Sequence, residues 1–296
     1  MSNGLRIAVT GGSGMVGSAV LRELVARGHT AINLDRRAPW KPVEGVRFCY
    51  VDLRHREQVQ SILEGVDAVC HLGEIPNSSA PISPDELFYT NTRIGSVVMQ
   101  TAADLRLRHA VYTSSCQVYG TWGAPPVPPK YLPIDSAHPT QPQNQYALSK
   151  VANESYARWV SAALGLSVSI FRLPMVLSSF RHQMAMRFEH EDFRSHEMNT
   201  YVHATDAAIA YALAVEKALP GCETYTLVAD DVLMPEPLAP YVQRHFPDWP
   251  QLPVDWPAQK SPVSSANAKE KLGWLPKYDF REDYRKIRGR EPLFRA

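Results

Sequence analysis

Apolar residues in the first half of the chain fall into short runs, separated by stretches of helical periodicity. Residues 5–9, 31–34, 47–51, 68–72 and 109–114 read as buried strands. Between them, Ala19, Val20, Leu21, Leu24 and Val25 recur at helical spacing, a polar helix covers 55–63, and a long helix covers 83–107. This alternation predicts parallel strands joined by right-handed crossovers, an α/β doubly wound parallel sheet. Ligands of such sheets sit outside the carboxyl ends of the strands, where Gly11, Asp35, Asp52, Gly73 and Ser115 fall.

Further along, a proline-rich stretch over 124–142 predicts a stiff loop lying over that crevice, because helical and apolar patterns resume on both sides of it. A helix returns over 145–164, a sixth strand over 167–172, a strand and helix over 201–219, and a last strand over 224–228. Residues 175–199 read as irregular. The expected division is therefore a dinucleotide-binding Rossmann domain over 1–174, completed by 200–229, with 175–199 and 230–296 forming a smaller substrate-binding lobe.

Composition narrows the class. A chain of 296 residues that is 45% hydrophobic can bury a large core, and a net charge of +1 gives no electrostatic reason to expect nucleic acid or an anionic membrane as partner. The four cysteines, Cys49, Cys70, Cys116 and Cys222, lack metal or redox spacing and read as free thiols of a reducing compartment. The first strand begins by residue 5, which leaves no room for a signal peptide, and the longest apolar run, 207–215, is too short to span a bilayer. A cytoplasmic location is expected.

The candidate chemistry lies in two places. The turn from Thr10 to Gly17 follows a strand and opens a helix, and its glycines at 11, 14 and 17 let the backbone approach a pyrophosphate at the helix N-terminus. Asp35, at the end of the second apolar run, strengthens that dinucleotide reading. In the segment Tyr146-Ala147-Leu148-Ser149-Lys150, the tyrosine and lysine share one helix face. A neighbouring ammonium makes a phenol a better acid, so the pair suits general acid/base work. The hydroxyls of Thr113, Ser114 and Ser115 end the preceding strand, where they can hold a substrate oxygen against the phenol.

These residues resemble the extended short-chain dehydrogenase/reductases, the NAD-dependent epimerase/dehydratase group. The resemblance is carried by the Thr10–Gly17 turn, Asp52-Leu53, His71-Leu72-Gly73, Asn91, the run 111–120, the Tyr146–Lys150 segment, Arg172, the run 201–206 and the run 272–276, in the family's order. It implies Ser115, Tyr146 and Lys150 as catalytic residues, with Lys150 also holding the nicotinamide ribose. It implies a pyrophosphate seat at Gly11, Gly14, Met15, Val16 and Gly17, adenine contacts at Asp52 and Leu53, and a cofactor lining of Leu72 and Gly73, with Asn91 among the cofactor-binding positions. Asp35 would accept both ribose hydroxyls and repel a 2′-phosphate, which favours NAD. Arg36 and Arg37 leave NADP as the alternative. The family's dimers pack two helices from each subunit, so a homodimer is expected.

Departures from the family pattern address the substrate. Cys116 and Gln117 stand where dehydratases carry an Asp-Glu pair, which argues against elimination of water. Met175, Asn199 and the stretch 259–265 stand where family members grip a nucleotide diphosphate. The expected activity is thus hydride transfer between NAD and a free sugar, sugar acid or polyol carbonyl compound, with substrate contacts at Glu74, Ser115, Gln117, Asn144 and Arg181. Two alternatives are a nucleotide-sugar 4-epimerase with tightly bound NAD and a non-catalytic regulator that senses dinucleotide. His182, His190 and His196 match no compact metal pattern, so no metal site is expected. Structural roles are expected for His71, His203 and Cys116.

Overall fold

The computed structural model describes residues 4–76, 81–122, 126–178, 198–234 and 236–290. Seven parallel strands form one sheet: β1 (Arg6–Thr10), β2 (Thr30–Asp35), β3 (Arg47–Tyr50), β4 (Ala68–His71), β5 (His109–Ser115), β6 (Val168–Leu173) and, last in the chain, β9 (Cys222–Thr226). Their order across the sheet is β3-β2-β1-β4-β5-β6-β9, so the direction of winding reverses beside β1. That reversal opens a crevice between the carboxyl ends of β1 and β4, at Thr10 and His71. The strands read as continuous apolar runs because both faces of a parallel sheet are covered. β4 is buried along its whole length, and β6 likewise.

Helices α1 (Met15–Ala26) and α5 (Ala204–Lys217) cover one face, enclosing Val9, Val20, Leu24, Tyr211 and Tyr225. On the other face, α2 (Arg56–Leu63), α3 (Pro84–Asp104) and α4 (Gln145–Leu164) cover Ile32, Val69, Val98 and Ile170. Local sequence sets the helix limits. The Ser83 hydroxyl accepts from Glu86 N with Pro84 at the first helical position, and the Asn144 amide accepts from Ala147 N. Gly165 ends α4 in a left-handed conformation.

Three differences from the expected layout stand out. Within the stretch expected to be irregular, β7 (Met175–Leu177) pairs in parallel with β8 (Tyr201–His203). The last strand of the large sheet is Cys222–Thr226, slightly earlier than expected. Ala268, Leu272 and Trp274, assigned by sequence to the lobe, are buried in the main core with α1 and α5. The reason is Asp206: its carboxylate accepts from the N–H groups of Lys277 and Tyr278, and its carbonyl accepts from Trp274 Nε1, which draws the chain back across α5. A separate apolar cluster of Val232, Leu238, Tyr241, Val242 and Trp249 gathers around α6 (Leu238–His245). Phe280 and Tyr284 of α7 (Phe280–Arg288) pack on Leu177 and Tyr201.

Candidate active site

The glycine turn is built by close backbone approach. Gly11 adopts φ +68°, and a side chain there would meet the backbone of Gly73 at 2.9 Å. A side chain on Gly17 would lie 2.2 Å from the Gly11 carbonyl oxygen. α1 therefore starts directly behind the turn, capped by Gly14 without a side-chain hydrogen bond and with no acidic residue in its first turn. Its leading N–H groups and positive dipole end are left for an anion. Met15 is exposed and Val16 half-buried at that end. The half-buried Asp35 carboxylate accepts from Ser13 N at 3.1 Å and Arg37 N at 3.0 Å, which ties the end of β2 to the turn. Arg36 is exposed beside it. These features fit a dinucleotide: a cradle that a Cβ would fill, an uncapped helix start, and a carboxylate at the ribose position.

Thr10 closes the floor of the crevice. Its hydroxyl accepts from Leu72 N and Gly73 N, both at 3.0 Å, and lies 2.7 Å from His71 Nδ1. With two N–H groups already pointing at the oxygen, its own proton goes to Nδ1, so His71 carries its hydrogen on Nε2. That nitrogen faces Glu74 Oε1 at 3.3 Å, outside the alignment of a full hydrogen bond.

Lys150, from α4, meets the same carboxylate. Its Nζ donates to Glu74 Oε2 at 2.7 Å and to the Thr113 carbonyl of β5 at 2.8 Å, and it lies 5.5 Å from the centre of the Tyr146 ring. Burial opposes both charges of this pair, but each stabilises the other. Glu74 is consequently held below the usual carboxylate range and Lys150 above the usual lysine range. Asn153 completes the group, donating to Glu74 Oε1 at 2.9 Å and to the Asn91 carbonyl at 2.9 Å. Sequence reasoning overlooked Asn153, although Tyr146, Lys150 and Asn153 follow one helix face at i, i+4 and i+7.

The reacting end of the crevice is framed by the ends of β5 and α4. The Ser115 hydroxyl accepts from Gln117 N at 3.2 Å as the chain leaves β5, and Asn144 Nδ2 donates to Gln117 Oε1 at 3.1 Å. Gln117 thereby links the Ser115 turn to the start of α4, one residue before Gln145 and two before Tyr146. Tyr146 is buried to 7% exposure.

Several expected contacts sit differently. Glu74, expected at the mouth of the crevice as a substrate ligand, has a side chain only 2% exposed, because Lys150, Asn153 and His71 draw it inward. Asn91, expected at the cofactor, is completely buried; its amide accepts from Ile75 N at 2.8 Å and donates to Ile75 O at 3.1 Å, and so shapes the loop that carries Glu74. Asp52, expected at the adenine, is paired through both oxygens with Arg54, which brings its carboxyl down to about 2. Leu53 is buried against Gly73. Arg181, His182, His190 and His196 lie outside the described residues.

The remaining candidates have packing partners. His203 stacks on Tyr278 with ring centres 3.9 Å apart, and its Nδ1 accepts from Thr205 N. Cys116 is fully buried with Sγ 3.7 Å from the Arg172 carbonyl, and burial alone pushes the Cys70 thiol well up. Among the described residues no cluster of His, Cys, Asp and Glu could hold a metal ion, and no helix is long and apolar enough to cross a membrane.

Known proteins resemble the chain in sequence and in fold. The chain is 29% identical to a UDP-glucose 4-epimerase of Lactobacillus helveticus over 57% of its own length and 51% of the relative's. It is 26% identical to one from Streptomyces lividans over 90% of each chain. In the Lactobacillus helveticus protein and a GDP-mannose 3,5-epimerase of Arabidopsis thaliana, the chain spans about half the relative's length. The crystal structure of a UDP-glucose 4-epimerase from Thermotoga maritima with UDP-glucose superposes with a TM-score of 0.73 at 21% identity, covering 96% of this chain and 97% of that one, which shows a shared fold. The model of the NAD dependent epimerase/dehydratase family matches residues 7–226, and this chain belongs to that family.

Proposed function

We propose that the protein is an oxidoreductase that moves a hydride between NAD and a hydroxyl- or carbonyl-bearing carbon of a sugar-like small molecule. The observation that carries this reading is the meeting of Tyr146 and Lys150 on α4 with the end of β5, beside a glycine turn shaped for a pyrophosphate. NAD, when bound, supplies the hydride acceptor. Tyr146 takes the proton of the substrate hydroxyl, Ser115 holds the same oxygen, and Lys150 orients the ribose. Asp35 favours NAD, since its carboxylate suits two ribose hydroxyls and repels a 2′-phosphate. Arg36, exposed beside it, is the residue through which NADP would be accepted.

The preference for a substrate without a nucleotide diphosphate rests on three positions. Met175 packs against the Tyr201 and Phe280 cluster, Asn199 Nδ2 donates to Met234 Sδ, and Gln259 Nε2 donates to the Met234 carbonyl. Met175, Asn199 and Gln259 offer no cation or free amide, and the cation within the stretch 259–265, Lys260, lies over the Trp256 ring at 4.8 Å. The second reading, a nucleotide-sugar 4-epimerase that recycles its cofactor within each turnover, is favoured by the names of the relatives. A third, a regulator that only senses dinucleotide, is opposed by the retention of Ser115, Tyr146 and Lys150. Exposed Tyr89, Leu148 and Trp159 on α3 and α4 support a homodimer through these helices, to be checked by light scattering.

The deciding experiment follows absorbance at 340 nm with NAD and NADP against free sugars, uronic acids and nucleotide sugars. Chromatography of the same mixtures detects interconverted nucleotide sugars. Accumulation of NADH with a substrate lacking a nucleotide supports the first reading. Interconversion of UDP-glucose and UDP-galactose without NADH release overturns it in favour of the second, and tight NAD binding without any turnover favours the third.

A further inference from the structure

The loop after β4 sets a carboxylate against the lysine that the chemistry uses. Glu74 accepts from Lys150 Nζ on Oε2, where the Tyr112 hydroxyl also donates from 3.4 Å, while Oε1 accepts from Asn153 and faces His71. The ionisable neighbours of the pair are His71 on β4, Tyr112 on β5, and Tyr146 and Glu154 on α4. The Thr10 hydroxyl faces His71 Nδ1 at 2.7 Å, and Glu154 is matched by Arg172 at 2.8 Å. Glu74 and Lys150 therefore cancel, and the lysine retains one proton for a ligand after serving Glu74 and Thr113.

We propose that Glu74 is a positioning residue that pins Lys150 and cancels its charge, so that the pocket accepts the positively charged nicotinamide of oxidised NAD as well as the neutral ring of NADH. This rests on the reading above that puts Lys150 at the nicotinamide end of the cofactor. An uncancelled ammonium in a water-poor pocket repels the oxidised ring and leaves the reduced ring unaffected, whereas an uncancelled carboxylate does the opposite. Glu74 thereby sets the balance between the two redox states of bound cofactor without touching either.

The test is calorimetric binding of NAD+, NADH and ADP to wild type, Glu74→Gln, Lys150→Met and the double variant. ADP reports only the adenine half and so checks that the fold is intact. Glu74→Gln is expected to raise the ratio of dissociation constants, NAD+ over NADH, by at least about tenfold with ADP affinity kept, and the double variant to return to within about threefold of wild type. If Glu74→Gln no longer holds ADP, the comparison moves to Lys150→Met, whose ratio should lie at least about tenfold below that of the double variant. An unchanged ratio in Glu74→Gln with ADP binding intact overturns the proposal, as do equal ratios in Lys150→Met and the double variant. If Lys150→Met binds all three ligands as wild type does, the underlying placement of Lys150 fails, and the role of Glu74 with it.

Discussion

The Thr10 hydroxyl lies 2.7 Å from His71 Nδ1 while receiving the N–H groups of Leu72 and Gly73. One oxygen thus fixes the imidazole tautomer and holds the β4 loop against the glycine turn. Thr10→Val keeps the shape and removes the hydroxyl, leaving Gly73 N and a buried ring nitrogen of His71 without the partner they have now, while Leu72 N keeps the Thr10 carbonyl at 3.2 Å. A loss of about 2–3 kcal/mol in urea unfolding is expected, with weaker NAD binding. Thr10→Ser should restore most of both. Equal stability of the Val and Ser variants would show that the hydroxyl does not hold this corner.

Gly17 stands where α1 passes under the Gly11 carbonyl, and a methyl group there would lie 2.2 Å from that oxygen. The nearest atoms are backbone, so relief requires the turn itself to open. Gly17→Ala should cost about 1–3 kcal/mol of stability and reduce NAD affinity by at least about tenfold, read by calorimetry. Retention of wild-type affinity would mean that the turn is not the pyrophosphate seat.

The same contacts explain what could be read from the sequence. Strands of a parallel sheet are apolar on both faces, so β1, β2, β4, β5 and β6 announce themselves as runs, and the Tyr146–Lys150 spacing identifies a shared helix face without coordinates. β7 escapes because it has three residues and pairs with β8, more than twenty positions away, through a stretch rich in charged and aromatic side chains. Glu74 is misread for a related reason. A glutamate just past a strand end reads as a substrate contact at the crevice, and only the folded chain brings Lys150 and Asn153, remote in sequence, to its two oxygens. Trp274 is similarly misassigned to the lobe because its anchor, Asp206, lies on a distant helix.

Beneath the active site, Arg172 grips Glu154 through both carboxylate oxygens at 2.9 and 2.8 Å, while Ser114 donates to the same group at 2.6 Å. Burial opposes ionisation of Glu154, yet Arg172 and Ser114 outweigh it and hold the carboxyl below its usual range. Breaking one partner of such a pair leaves a lone buried charge. Glu154→Ala is therefore expected to lose about 3–5 kcal/mol in urea unfolding, whereas Glu154→Leu combined with Arg172→Met should lose clearly less than the sum of the two single changes. Strict additivity would mean that the two side chains act independently.

His109 provides a pH dependence away from the active site. Its ring is fully buried at the start of β5, with Nε2 3.0 Å from the Ser169 hydroxyl and Nδ1 without a hydrogen-bond partner among the described residues. Burial first, and then the charge of Arg108, bring its pKa down to about 4. In the unfolded chain a histidine titrates near ~6.5. Between these values the unfolded state binds more protons than the folded one, so stability rises with pH through the window. The contribution is complete above about 6.5 and fades as the pH falls toward about 4, amounting to roughly 3 kcal/mol across the range. Replacing His109 with Gln removes the titrating group and keeps a polar side chain near Ser169. Urea unfolding measured from pH 4.5 to 6.5 should then show a flatter dependence in His109→Gln than in wild type. Identical slopes would mean that His109 does not set the pH dependence in this window, since the stabilisation from Glu74 and Glu154 is lost only below the ordinary glutamate range.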